Sequence, residues 1–248
     1  MSRELVPEED IASFYEEGWI TEVLHAVKSG KEATVYCAKA YPNRGADFFA
    51  LKVYAPLAQR NFRDAAVYQE GRTGRKTNET RAMRAMRKKT AKGRGMQFGS
   101  WLEHEFATLQ TLHAAGADVP EPKATSVRAV LLEFIGEGDQ AAPPLHSVRL
   151  AKEEAQPLFA QAMRNIELML ACDLVHGDLS PYNILYVAKK LCVIDFPQAV
   201  DPRFNNNARA LLERDVTNVC RYFQRQGVTA DPVQLTEELW ERYIRARL

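Results

Sequence analysis

Read along the chain, apolar residues recur with two different periods, and the changes of period mark out the elements. Val23–Val27 and Thr34–Ala38 are short runs of apolar and β-branched residues joined by Ser29-Gly30-Lys31-Glu32, and they predict two strands with a tight connection. Phe48–Tyr54 predicts a third strand that carries one charge, Lys52. Ala129–Ile135 predicts a buried strand running into Gly136-Glu137-Gly138. Ile184–Val187 and Leu191–Ile194 predict a hairpin with Lys189 and Lys190 as its turn. The helical period lies between these runs. Leu158, Phe159, Ala162, Met163, Ile166, Met169 and Leu170 form a core-facing stripe on a helix from about 152 to 172. Ser100 as N-cap, with Glu103 as its capping-box partner, predicts a helix that presents Phe106, Leu109 and Leu112 and closes at Gly116. Further helices are predicted near 57–70, 208–226 and 232–247, the last started by Asp231 as N-cap and Pro232 as first helical residue. Phe14, Tyr15, Trp19 and Ile20 predict a short leading helix, and Pro120-Glu121-Pro122 a turn.

Composition adds limits. The 248 residues hold 46% hydrophobic and 26% charged residues, enough apolar material for one large domain or two lobes sharing a cleft. Cys37, Cys172, Cys192 and Cys220 are scattered, with no C-x-x-C pair, which suggests reduced thiols rather than a disulfide frame or a zinc site. The leading residues are acidic without an apolar core, and no apolar run is long enough to cross a membrane, so a cytoplasmic protein is expected. Charge changes the picture more. Between Arg72 and Gly95 lie ten Lys/Arg against one acid, Glu79, in a chain whose formal net charge is +1. A flexible insertion at about 72–97 is expected there. Its 72–94 portion is either an RNA-phosphate contact or a solvated loop, and the sequence leaves both open.

The chemistry gathers around LVHGDLSPYN and its hairpin. Asp178 and Asn183 are five apart, His176 precedes them, and Asp195 follows the second strand. The pattern H-x-D-x-x-x-x-N followed by Asp matches a phosphoryl-transfer catalytic loop. Asp178 can take a proton from an attacking hydroxyl, while Asn183 and Asp195 can offer oxygens to magnesium. Lys52 fits the strand lysine that reaches nucleotide phosphates; Glu105 is its expected ion-pair partner, with Glu103 as the rival. Backbone groups of Glu133 and Ile135 suit an adenine edge. Ser29, Gly30, Lys31 and Glu32 resemble a phosphate-covering loop, but one glycine does not satisfy G-x-G-x-x-G, and taken alone the stretch reads as an ordinary hairpin.

Taken in order, SGKEATVY, Lys52, Glu105, Glu133–Ile135, HGDLSPYN and IDFPQ resemble the RIO family of atypical serine/threonine protein kinases, closer to its RIO1 type and bacterial relatives than to its RIO2 type. The resemblance covers roughly 23–223. It implies an α+β, two-lobed protein-kinase-like fold of reduced RIO type, without activation segment or peptide-binding helices. Residues 1–22 would be an N-terminal helical extension, 23–135 the N-lobe and 136–248 the C-lobe. It implies ATP with Mg²⁺ or Mn²⁺. Ser29–Glu32 and Lys52 would meet the phosphates, Asp178 would be the catalytic aspartate, Asn183 and Asp195 the metal ligands, and His176 more structural than chemical. The output would be phosphorylation of protein Ser/Thr, the kinase itself included, or ATP hydrolysis, with a role in small-subunit ribosome maturation. Asp195 would be the aspartate that some members phosphorylate. Two alternatives stay open: a small-molecule phosphotransferase of the aminoglycoside or choline kinase type, and an RNA-binding module with residual ATPase.

Overall fold

The computed structural model describes residues 8–55, 91–246 and 248, the side chains of 8 and 91–101 excepted. The helix expected near 57–70 and the basic residues 72–90 lie outside the described residues. The rest divides into two compact units: one takes in residues to 55, 91–107 and 121–141, the other 108–120 and everything from 142.

The first unit is built on an antiparallel sheet of β1 (Ile20–Ser29), β2 (Ala33–Ala40), β3 (Phe48–Tyr54), β4 (Pro122–Thr125) and β5 (Ala129–Glu133), in the order β1-β2-β3-β5-β4. Alternation along the strands gives each face its own cover. Phe49, Leu51 and Val53 of β3 join Ala129 and Leu131 of β5 on one face, where α1 (Glu8–Glu16) inserts Ile11 and Phe14. Phe14, Phe49 and Leu51 are wholly buried, and each such side chain contributes about 1.5–3 kcal/mol over its exposed state. On the other face Tyr54 and Val130 meet Leu102, and Phe106 packs beside them, both from α2 (Ala91–Ala114). Lys52 shares this second face with Tyr54, its Nζ 5.2 Å from the centre of the ring. A small hairpin of β6 (Gly136–Glu137) and β7 (Gln140–Ala141) completes the unit. A Cβ on Gly136 would lie 2.1 Å from the Gln140 carbonyl oxygen, so only glycine permits this close pairing.

In the second unit α3 (Lys152–Ala171) buries Leu158, Phe159, Ala162, Ile166, Met169 and Leu170, the expected stripe apart from Met163. Phe159 meets Phe223 of α4 (Ala208–Gln224) edge-on at 5.5 Å. α5 (Pro232–Ile244) begins as predicted, with the Asp231 carboxylate accepting the N–H groups of Val233 and Gln234. β8 (Ile184–Val187) and β9 (Lys190–Val193) form the hairpin that presents the site.

Several local expectations shift. The Pro120–Pro122 turn gives way at Pro122 to the edge strand β4, where proline's missing N–H costs no ladder bond. The hairpin turn is Ala188-Lys189, both at positive φ, so Lys190 already belongs to β9. The helix expected to start at Ser100 already includes Ala91, which places Ser100 inside it. Leu102, 2% exposed, packs with Tyr54 and Val130, and that packing anchors this stretch.

Candidate active site

In the second unit the chain from His176 to Asn183 forms a loop held from two sides. Gly177 has φ +79°, a left-handed conformation that glycine adopts without steric cost. It turns the chain so that His176 is buried at 2% exposure while Asp178 is exposed. The Asp178 N–H donates to His176 Nδ1 at 3.3 Å, which leaves Nε2 as the protonated nitrogen, donating to the Ile194 carbonyl at 3.1 Å. His176 thereby ties the loop to the end of β9, and Phe196 packs its ring 4.7 Å from the imidazole.

The second clamp comes from α4. Asp215 is 1% exposed, and its two carboxylate oxygens accept the N–H groups of Gly177 and Leu179 at 2.8 Å each. Arg214 donates to the Gly177 carbonyl and Asn218 to the Leu179 carbonyl, the latter at 3.0 Å. Backbone polar groups on both sides of Asp178 are therefore fixed by one helix. Burial pushes the Asp215 carboxyl up to about 7, against the lowering pull of those two N–H donors and of Arg214. Asp178 is raised above the ordinary aspartate value by partial desolvation first; Arg214 lowers it, Asp195 raises it, and Asn183 lowers it again. A base whose pKa moves toward neutrality is better matched to taking a proton from a hydroxyl.

Asn183 is 7% exposed, and its Nδ2 donates to the Asp178 carbonyl at 3.0 Å. That bond leaves Oδ1 as the atom its amide offers a cation. The Ile194 N–H donates to the Asn183 carbonyl at 2.9 Å, extending the β8–β9 ladder so that Asn183 and Asp195 flank its open end. Asp195 takes a left-handed backbone, φ +73°, which aspartate tolerates better than most residues. Val175 and Val200 exchange both backbone bonds at 2.9 Å and close the segment after it. An amide oxygen and a carboxylate form an all-oxygen donor set, which fits a hard cation such as Mg²⁺ completed by phosphate and water. Among the described residues there is no cluster of three or more His, Cys, Asp or Glu that would hold a metal unaided.

In the first unit Lys52 Nζ lies 2.6 Å from Glu105 Oε1, and the side chains are 11% and 2% exposed. Of the two glutamates weighed as partner, Glu105 makes the pair and Glu103 is exposed. The strand fixes Lys52 and the helix brings Glu105 one turn after Leu102 to the same face. The Ser29–Glu32 connection is a tight turn: Gly30 N–H donates to the Ala33 carbonyl at 3.0 Å, Ser29 Oγ lies 3.2 Å from Thr34 Oγ1, and Ala55 N–H donates to the Glu32 carbonyl at 2.8 Å. The Gly30 amide is thus engaged by the turn itself, while Lys31 is exposed. Glu133 closes β5, its N–H donating to the Glu121 carbonyl at 2.9 Å; Ile135 follows just before β6.

Asp215, Arg214 and Asn218 were not foreseen. A signal was present, because Asp215 falls on the apolar stripe of Leu211, Leu212, Val216 and Val219, where an unpartnered carboxylate would be prohibitively costly.

The family described as the RIO domain matches residues 34–236. The chain is 35% identical, over 84% of its length, to the serine/threonine-protein kinase RIO1 of Chaetomium thermophilum, of which it covers 40%. It is 31% identical over 90% of its length to the human protein of the same name, covering 36%. To the RIO-type serine/threonine-protein kinase Rio1 of Haloferax volcanii it is 33% identical over 92% of its length, covering 72%. The chain thus spans about two fifths of the fungal and human relatives and more of the archaeal one. A crystal structure of the Rio2 kinase–ADP/Mg²⁺–phosphoaspartate complex from Chaetomium thermophilum superposes with a TM-score of 0.64, at 22% identity, over 93% of this chain and 64% of that one. The shared fold is the reduced, kinase-like α+β fold.

Proposed function

The chain belongs to the RIO family of atypical protein kinases, and on that premise we propose that it transfers the γ-phosphoryl group of ATP to serine or threonine of a protein, itself included, or to water. The observation that carries the reading is the double clamp on the Asp178 loop, with Asn183 tied to its backbone and Asp195 flanking it across the hairpin. Asp178 accepts the proton of the attacking hydroxyl as the new O–P bond forms, and the bond to ADP breaks with its electrons leaving on the β-phosphate. Asn183 Oδ1 and the Asp195 carboxylate would hold Mg²⁺, which would neutralise phosphate charge. Lys52, steadied by Glu105, meets the α- and β-phosphates. Ser29, Gly30, Lys31 and Glu32 cover the phosphates, and the Glu133 and Ile135 backbones meet adenine. His176 and Asp215 position the loop.

A second route is favoured by the phosphoaspartate captured in the related Rio2 structure. In this route an Asp195 oxygen takes the γ-phosphoryl group as its bond to ADP breaks, and water then hydrolyses the acyl phosphate, releasing phosphate and restoring the carboxylate. The four cysteines are free, and burial pushes the Cys37 and Cys220 thiols up to about 11, as suits inert thiols in a reducing, cytoplasmic setting. Kinship extends the proposal to small-subunit ribosome maturation.

Following label from γ-³²P-ATP with Mg²⁺ tests the reading. Acid-stable label on Ser or Thr that is lost in Asp178→Asn and Asp195→Asn supports protein kinase chemistry. Free phosphate with a hydroxylamine-sensitive label supports the aspartyl route. Neither label nor phosphate from a protein that binds ATP refutes both.

A further inference from the structure

Beside the catalytic loop, within the second unit, lies a recess of about 300 Å³ whose walls include His146, Ser180, Tyr182, Asn218, Arg221 and Arg225. None of the roles assigned above uses its arginines or its aromatic pair. Arg221 and Arg225 are exposed, and neither side chain forms an ion pair or hydrogen bond among the described residues. They stand one helical turn apart, where like charges repel. The C-terminal end of α4 favours cations and offsets that repulsion, but it supplies no counter-ion. Across the recess Tyr182 is 60% exposed and stacks on His146, ring centres 4.0 Å apart and planes 25° apart. The stack is fixed by backbone, since the His146 N–H donates to the Pro181 carbonyl at 3.0 Å. Two guanidinium groups without a counter-ion among the described residues thus line one recess with an aromatic pair, of which the catalytic loop supplies Tyr182.

We propose that this recess binds an anionic side chain, carboxylate or phosphate, of the polypeptide that presents the phosphoacceptor. The proposal rests on the protein-kinase reading above. Ser180 is two residues from Asp178, at most about 7 Å along the chain. An extended substrate advances about 3.3 Å per residue, so the anion sits roughly two to four residues from the acceptor. A guanidinium fork suits either oxyanion, and the Tyr182 ring gives the neighbouring peptide backbone a flat surface. Nucleic acid fits less well. The adjoining recess, which shares Asn218 and Arg221, is lined by Glu213 as well as Arg214, and a carboxylate there works against a run of phosphates.

The test uses three synthetic peptides that differ only about three residues from the acceptor serine, with Glu, phosphoserine or Gln there. Binding is read by fluorescence anisotropy and phosphorylation by steady-state kinetics, in the wild-type chain and in Arg221→Gln/Arg225→Gln. The expected result is a KM roughly tenfold lower for the Glu or phosphoserine peptide than for the Gln peptide, the order of one charge-assisted contact at a partly screened site. That preference vanishes in the double variant while kcat changes little, and it survives in Arg221→Lys/Arg225→Lys. Preference for only one of the two anions identifies its source and still supports the site. Equal binding of all three peptides, or a preference that persists in the Gln variant, overturns the proposal. So does an oligouridine that binds more tightly than the acidic peptides and is released by the same substitutions. If no peptide is labelled, anisotropy still decides the recess, so failure of the kinase reading and failure of the recess are distinguishable.

Discussion

Replacing Glu105 by Gln probes how the first unit holds its lysine. The Lys52–Glu105 bond is 2.6 Å long and nearly dry, its side chains 11% and 2% exposed. Removing one charge from a buried pair strands the other, at a cost of about 3–5 kcal/mol. Glutamine keeps an oxygen that can accept from Lys52 Nζ, and the Tyr54 ring still faces the cation at 5.2 Å. The expected loss is therefore about 2–3 kcal/mol, below that range because a neutral hydrogen bond replaces the ionic one. Urea unfolding should show that loss, and steady-state ATP turnover should fall about 10- to 100-fold, because a lysine no longer fixed in place loses its aim at the phosphates. The double substitution Lys52→Met/Glu105→Leu separates the two roles. It should recover most of the stability, since apolar side chains fill the same space without desolvating a charge, and none of the activity. A Glu105→Gln protein that unfolds within about 0.5 kcal/mol of wild type and turns over ATP normally would refute the assignment.

Three other outcomes follow from the second unit. The acid limb of the rate profile should lie above the ordinary aspartate range, because Asp178 must be deprotonated to act and its pKa is raised; Arg214→Gln, which removes the lowering influence, should move that limb to still higher pH in a kcat–pH profile. Asp215 titrates near 3.8 when unfolded and about 7 when folded, so the folded state holds its proton more tightly. Its contribution to stability is complete below about pH 4 and is lost as pH rises through 7; urea unfolding across that window should show a falling component absent from Asp215→Asn. Asp215→Ala strands the buried N–H groups of Gly177 and Leu179, at about 1–3 kcal/mol each, and should lower turnover at saturating ATP through disorder of the loop, read in the same assay.

Legibility followed how local the determining physics was. The β8–β9 hairpin, the Lys52 strand, the α3 stripe and the Asp231 cap are written in neighbouring residues, and the structure places them within a residue or two of expectation. The helix of Leu102 was expected to begin at Ser100 because Ser100-x-x-Glu103 is a good local cap signal, but the backbone is already helical from Ala91 and Leu102 is buried in its middle. β4 was hidden by prolines that signal turns, although an edge strand accepts one. The Asp215 clamp was missed because its meaning is non-local. In sequence it is one polar residue in a helix, and only the fold brings the Gly177 and Leu179 N–H groups to it.

The central claim is that Asp178 is the base of a phosphoryl transfer for which the loop is held in place. The most direct measurement is a pair of numbers for wild type and Asp178→Asn: the dissociation constant of a non-hydrolysable ATP analogue with Mg²⁺, and the single-turnover rate with γ-³²P-ATP. Asp178→Asn should bind the analogue within about threefold of wild type and transfer phosphate more slowly by about 10²–10⁴, the range expected for loss of a general base. Equal rates in the two proteins, with binding intact, would contradict it.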